Sequence, residues 1–423
     1  MINTRFAPSP TGYLHIGNIR TAFFCWLFAR KNKGNFYLRI DDTDQVRNSK
    51  KYLNNIKDVL NWLKIDYDDN IIFQSKNYNV YKSVLLQLIS EGKAYKCFCD
   101  KKRLDELRLL QLSNKSRIAY DGYCRNNIFD PGTSYVIRFK SIYATNIEFF
   151  DLIRGLIKVD ADEVDDFIIA KNDYSATYNL ASVIDDINYN ITHIIRGDDH
   201  ITNTLKQISI IRALNKKLPM FVHLPMILDT DGKVLSKRNI SSCVNYYINN
   251  GFLPEAFLNY IVRLGWSFKD QEIFSIYEMI NVFSLDNISK SPAIINYKKL
   301  VWLNKFYIKN IDYSDFIKHY LPLEKKIKLN YAVGPSIKAL FNVCKYRIDK
   351  LLDLATNYTP LYMSETHISC DFVGFVYSVD VIDKISIFYF DLKKQFFTWT
   401  LDNIKVYFKN FLNVNGFELA DIA

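Results

Sequence analysis

Hydrophobic spacing along the chain changes period several times, and each change predicts an element. Residues 2–7 alternate between apolar and polar side chains, which predicts a short strand. Pro8, Pro10 and Gly12 follow and force an extended turn. From Ile19 to Lys31 apolar residues recur on every side, so a buried helix is expected, with His15-Ile16-Gly17-Asn18 at its start. Asn35 to Ile40 predicts a second strand, running into Arg39-Ile40-Asp41-Asp42-Thr43-Asp44. Later come a strand at Thr192–Arg196, a helix at Ile201–Asn215 and a buried strand at Phe221–Leu228. Asp229-Thr230-Asp231-Gly232 is a turn. Gly251 closes one helix and Pro254 opens the next. Beyond residue 310 the pattern is amphipathic helices with short loops.

Strand, tight loop and helix N-terminus at residues 2–18 form an anion-binding geometry, with free N–H groups and a helix dipole aimed at the same point. In that reading Gly17 lets a nucleotide approach the backbone, and His15 donates a hydrogen bond to a phosphate oxygen. Carboxylates at the C-terminal end of a strand in an open α/β sheet face the ligand crevice, which would place Asp41 there. The same acids could instead cap the next helix. Arg196 ends a strand where a ligand would sit, and a guanidinium forks onto a carboxylate through two parallel hydrogen bonds. A rim salt bridge with Asp198 or Asp199 is the alternative. Lys233-Val234-Leu235-Ser236-Lys237-Arg238 follows a strand and turn. It is either a plain basic surface turn or a loop that closes over phosphates, with Lys237 neutralising the leaving charge.

Composition narrows the partners. The 423 residues suggest two to four domains. No run of apolar residues is long enough for a membrane span, and Met1–Pro10 has no secretory apolar stretch. Seven Cys without a regular pattern fit a reducing cytoplasm. The net charge of +10 is uneven: residues 291–350 carry eleven Lys and one Arg against three Asp and one Glu. Trp302, Phe306, Tyr307, Tyr320 and Tyr346 are interleaved, a pattern that fits a nucleic-acid backbone.

Two strings, F-A-P-S-P-T-G-Y-L-H-I-G-N at 6–18 and V-L-S-K-R at 234–238, in this order, resemble the phosphate-handling signatures of class I aminoacyl-tRNA synthetases. The surrounding text resembles the bacterial-type glutamyl-tRNA synthetases. Tyr120-Asp121-Gly122, Ser175–Leu180, Asn259–Trp266 and Lys299–Asn304 carry the likeness further, strongly to about residue 310 and weakly after it.

The resemblance implies an α/β Rossmann-type catalytic domain with an inserted acceptor-binding subdomain, followed by an all-α C-terminal anticodon-binding region. The expected boundaries are 1–96 with 174–245 for the Rossmann halves, 97–173 for the insertion, 246–309 for a helical stem-contact region and 310–423 for the anticodon-binding region. It implies a monomeric cytoplasmic ligase using ATP and Mg²⁺, with L-glutamate and tRNA-Glu as partners and no membrane. Two alternatives stay open: a paralogue that glutamylates tRNA-Gln, and a catalytically weakened tRNA-binding remnant.

The residues carried over are His15 and Lys237 for catalysis; His15, Gly17, Asn18, Leu235, Ser236, Lys237 and Arg238 for ATP; Arg5, Ser9, Asp41, Tyr178 and Arg196 for glutamate; and Arg347 for the last anticodon base. Some details depart from the family. Asp41 stands where Glu is usual, and Val234 and Asn239-Ile240 replace Lys and His-Gly in the basic loop. Asn413–Ala423 resembles a stretch normally followed by a further segment. Cys97, Cys99 and Cys124 match three ligands of a zinc site found in some members, but Asn126 stands at the usual His. No bound metal is expected on that count.

Overall fold

The structure is a computed structural model. It describes residues 1–44, 47–126, 134–141, 146–160, 163–234, 243–325, 331–332, 334–362, 379–393 and 401–417. These fall into two compact units: Met1–Lys328 with Ile337–Asn357, and Leu329–Ser336 with Tyr358–Ala423.

In the first unit the chain runs β1 (Asn3–Phe6), α1 (Ile16–Lys31), β2 (Asn35–Ile40), α2 (Lys50–Trp62), β3 (Ile72–Phe73), α3 (Tyr78–Ser90), β4 (Ala94–Cys97), α4 (Lys101–Ser113) and β5 (Val136–Phe139). It continues through β6 (Ile147–Asp151), β7 (Gly155–Val159), β8 (Ile168–Ala170), α5 (Tyr178–Asn188), β9 (His193–Gly197), α6 (Ile201–Ala213), β10 (Met220–Leu224) and β11 (Ile227–Leu228). Then come α7 (Val244–Asn249), α8 (Pro254–Val262), α9 (Ile276–Val282), β12 (Ala293–Ile294), α10 (Tyr297–Asn310), α11 (Tyr313–Glu324), α12 (Ile337–Cys344) and α13 (Leu352–Asn357). The second unit holds α14 (Val379–Lys393) and α15 (Leu401–Asn415), where Phe388 packs on Phe408 and Phe411.

Strands β1, β2 and β3 are parallel, and so are β9 and β10. The two groups meet edge to edge. The Thr192 N–H donates to the Asn3 carbonyl at 3.0 Å, and the Asn3 N–H donates to Thr192 Oγ1 at 2.9 Å. β1 is thus flanked by β2 on one side and by β9, far along the chain, on the other. A sheet whose connections diverge from one strand pair opens a crevice at the C-terminal ends of that pair. Arg5, Phe6 and Arg196 lie there.

Strand pairing and packing run across two of the expected boundaries. The hairpin β6–β7, placed in the insertion by sequence, joins β10 in parallel through Asp151 and Phe221. What stands apart is the antiparallel sheet β4–β5–β8. Downstream, α8 packs on α1, and Phe257, Ile261 and Leu300 share the core of Phe23, Phe24 and Leu27. That is why α1 is apolar on every side: sheet covers one face and later helices the other. The first unit also runs on past residue 310. Gly251, at φ +76°, leaves no room for a side chain against Leu323 and Leu351, and its carbonyl accepts from Leu351 N–H at 3.0 Å.

The apolar run 221–228 is two strands rather than one, because Pro225 lacks the N–H that a continuous ladder would need.

Candidate active site

A cavity of about 480 Å³ opens at the ends of β1 and β9. It is lined by Arg5, Ser9, His15, Gly17, Asn18, Asp41, Tyr178 and Arg196, which brings together every described residue expected to bind glutamate or ATP. Leu235, Ser236, Lys237 and Arg238 lie outside the described residues. Their flanks do not: Val234 lines the cavity and bridges to Leu228, and Cys243 bridges to His15. The described flanks of the basic segment thus reach the cavity at Val234 and the first signature string at His15.

His15 is the N-cap of α1. Its Nδ1 accepts from the Asn18 N–H at 3.3 Å, and its own N–H donates to Asn18 Oδ1 at 3.1 Å. With Nδ1 accepting, the neutral ring carries its proton on Nε2, the atom that a phosphate oxygen would need as donor. Gly17 has a reason that the sequence reading missed. A Cβ there would sit 3.0 Å from Cε1 and Nδ1 of His15, so any larger residue would push the ring out of place.

The acids and arginines form a buried network. Arg39 forks onto Asp41, with Nε to Oδ1 at 2.7 Å, and reaches Asp186 Oδ1 through Nη1 at 2.6 Å. Arg5 forks onto the same Asp186 at 3.1 and 3.4 Å. Asp185, one residue earlier, takes hydrogen bonds from Gln74, Asn77 and Tyr81. Burial pushes the Asp41 carboxyl up against the pull of Arg39. At Asp186 burial acts in the same sense, but Arg5 and Arg39 outweigh it and hold the carboxyl low. Asp41 is not a helix cap: Ser49 caps α2, and Asp42 binds the N–H and hydroxyl of Ser75. Arg39, Asp185 and Asp186 receive no role from the sequence, because nothing in their spacing separates them from surface charges.

Arg196 differs from Arg5. It is 6% exposed, yet among the described residues it has no carboxylate partner. The alternative rim pairs are absent among the described residues: Asp198 binds Arg154 at 2.5 Å, and Asp199 lies 3.8 Å from His200. Its contacts are neutral: Thr204 Oγ1 at 2.6 Å, His223 Nε2 at 3.4 Å and the Tyr178 hydroxyl. Burial lowers its guanidinium to about 10. A buried cation without an anion is costly, and a ligand carboxylate in the cavity would remove that cost. His200, also on the cavity wall, was not foreseen; it touches Tyr178 at 3.3 Å.

Arg20, another unforeseen wall residue, is held by the carbonyls of Pro225 and Leu264. Arg347 lies far along the chain, exposed just after α12.

The sulfur atoms of Cys97, Cys99 and Cys124 lie within 4.8 Å of one another. Tyr120 Oη sits 3.4 Å from two of them, Cys97 and Cys99, so a fourth donor is present that counting at Asn126 had missed. The three thiols are donors that a structural Zn²⁺ uses, and if Tyr120 Oη gave up its proton to complete the set, the ion would pin β4 to the 120–124 turn.

The chain matches the family described as tRNA synthetases class I (E and Q), catalytic domain, over residues 1–302. It belongs to that family and is an aminoacyl-tRNA synthetase, a ligase. It is 47% identical over 367 residues to a glutamate–tRNA ligase of Francisella tularensis subsp. holarctica, covering 86% of this chain and 78% of the relative. It is 46% identical over 355 residues to glutamate–tRNA ligase 1 of Coxiella burnetii, covering 84% and 76%. A crystal structure of a glutamate–tRNA ligase from Elizabethkingia meningosepticum, in complex with its amino acid, superposes with a TM-score of 0.82 at 27% identity, covering 100% of this chain and 91% of that one. No described helix is long and apolar enough to cross a membrane.

Proposed function

We propose that this chain is a glutamate–tRNA ligase working through the cavity between β1 and β9. Glutamate and ATP, the latter with Mg²⁺, react first. An α-carboxylate oxygen attacks the α-phosphorus, the bond to the leaving pyrophosphate breaks, and glutamyl-adenylate forms. A ribose hydroxyl at the 3′ end of tRNA-Glu then takes the acyl group and releases AMP.

The observation that carries this reading is Arg196, a buried guanidinium facing the cavity with no acid of its own among the described residues. The substrate's side-chain carboxylate supplies that acid, and Tyr178 supports it. Arg5 lies beside it, but Asp186 already occupies its Nε and Nη2 edge, so Arg196 is the principal reader. Asp41 and Ser9 hold the amino-acid end. Asp41 is drawn back onto Arg39 and is one methylene shorter than Glu, so a water bridges it to the amino group. His15 Nε2–H, Gly17 and Asn18 at the start of α1 receive the triphosphate, and Leu235 to Arg238 close on it with Lys237 as the main cation. No side chain acts as a nucleophile; positioning and charge account for the rate.

The sheet β4–β5–β8, the basic stretch 291–350 and Arg347 face the tRNA in this reading, with Arg347 directed to the last anticodon base. The test is ATP–pyrophosphate exchange with purified tRNA-Glu and, separately, tRNA-Gln. Glutamate-dependent exchange and charging of tRNA-Glu is the expected result. Charging confined to tRNA-Gln would assign the paralogue, and no exchange with either would leave a tRNA-binding remnant.

A further inference from the structure

Behind Arg196, away from the cavity, stands a row of fully buried polar groups that no step above uses. His223 on β10 is the register partner of Arg196 on β9. Its Nδ1 lies 2.7 Å from Asp151 Oδ2, and its Nε2 lies 2.8 Å from Thr204 Oγ1 and 3.4 Å from Arg196 Nε. Thr204, on α6, accepts from Arg196 Nη2 at 2.6 Å. Asp151, His223 and Thr204 are all 0% exposed.

Proton counting fixes the direction of this row. Asp151 accepts backbone N–H groups from Ile153, Arg154 and His223 as well as the His223 ring. Four donors keep it a carboxylate, so the ring proton is on Nδ1 and Nε2 carries a lone pair. That lone pair faces Arg196 Nε–H and Thr204 Oγ1, whose single proton is shared between His223 Nε2 at 2.8 Å and the His200 carbonyl at 3.1 Å. Both guanidinium nitrogens on that edge thus meet acceptors, and the opposite edge is left for the cavity.

We propose that Asp151, His223 and Thr204 are positioning residues that aim the Arg196 guanidinium at the substrate's side-chain carboxylate. The negative charge of Asp151 reaches Arg196 only through a neutral imidazole, so Arg196 is oriented without being neutralised. An acid in direct contact would hold the fork for itself, as Asp186 does with Arg5. The proposal rests on the reading of Arg196 as the glutamate-binding residue.

Protonation of His223 would place a second N–H against Arg196 Nε–H and break the alignment. The groups facing the ring are Asp151 from β6, Arg196 and Asp198 from β9 and the turn after it, Thr204 and His200 from α6 and its start, and the Phe149 and Phe221 rings. Burial first, then Arg196, keeps His223 below the usual histidine range despite Asp151.

The experiment measures Michaelis constants for glutamate and ATP separately, by pyrophosphate exchange with tRNA-Glu present. The enzymes are wild type, Thr204→Val, His223→Asn, His223→Gln and Arg196→Ala. His223→Asn keeps a donor toward Asp151 and loses the acceptor at Nε2; His223→Gln returns an oxygen near that position. His223→Asn and Thr204→Val should each raise the glutamate constant about tenfold or more, as expected for losing a hydrogen bond to a charged group, with the ATP constant nearly unchanged. His223→Gln should recover part of the loss. The wild-type glutamate constant should climb as pH falls below the usual histidine range, and in His223→Asn that climb should vanish.

If Arg196→Ala raises the glutamate constant but Thr204→Val and His223→Asn do not, the relay is overturned and the glutamate reading stands. If Arg196→Ala leaves it unchanged, the glutamate reading itself fails. Should His223→Asn melt early, Thr204→Val decides alone: equal effects on both substrates there would make the row structural and overturn the proposal.

Discussion

The Asn18 side chain and the His15 ring close a reciprocal cap at the start of α1: Asn18 Oδ1 takes the His15 N–H at 3.1 Å, and His15 Nδ1 takes the Asn18 N–H at 3.3 Å. Only the first bond uses the Asn18 side chain. Asn18→Ala should therefore cost about 1 kcal/mol of stability while leaving the His15 tautomer intact. His15→Asn should do the reverse, because Asn caps well but lacks the Nε2–H donor, and exchange should fall roughly a hundredfold or more. Thermal melts on both variants and exchange rates on His15→Asn check this; a rate loss under about threefold in His15→Asn would deny His15 a phosphate role.

Arg196→Lys should impair glutamate use selectively. A lysine is a point charge and cannot present two parallel donors to a carboxylate. The expected outcome is a raised Michaelis constant for glutamate and a nearly unchanged one for ATP. Parallel changes would point to a packing role.

For Lys237→Ala, glutamate activation should drop by on the order of a hundred- to a thousand-fold, as for losing one stabiliser of developing charge. tRNA affinity should hold. A rate loss under about threefold would hand the role to Lys233 or Arg238.

Asp186 neutralises Arg5 and Arg39 together, so Asp186→Asn should destabilise the protein by about 3–5 kcal/mol at neutral pH. Its carboxyl is held low by the two arginines against burial, so its contribution is present above the usual aspartate range and is lost as pH falls through the depressed value. The difference from wild type should thus persist at about pH 4. Urea unfolding at both pH values checks this, and a gap that closed near pH 5 would contradict it.

Zinc analysis tests the Cys97, Cys99, Cys124 and Tyr120 cluster. If Tyr120 Oη completes the three thiols, protein purified with zinc available should hold about one ion per chain. Tyr120→Phe should lower that content. Zinc-free wild type would mean that Asn126 leaves the three thiols without a fourth ligand.

Much of the site was legible in the chain because it is local. The turn at Pro8–Gly12, the helix start at His15 and the strand ending in Arg196 depend on neighbouring residues, and the strands 3–6 and 35–40 follow from side-chain alternation. What sequence alone left open was which charge meets which. Arg5 and Arg196 look alike in the chain in that each is near the end of a strand, and only Arg196 has acids within a few residues. Tertiary packing gives Arg5 to Asp186 and leaves Arg196 beside a neutral His223, since β1 faces α5 whereas β9 faces β10 and α6. The same holds for Tyr120, four residues before Cys124, whose oxygen reaches the sulfurs only once β4 and the 120–124 turn are folded together. The sheet also claimed the hairpin 147–159, because one strand pairing at Asp151 outweighs any boundary drawn from linear order. Periodicity and turn residues fix elements through short-range sterics and solvation; pairings between charges and between sheet edges are set by which distant segments share a buried space.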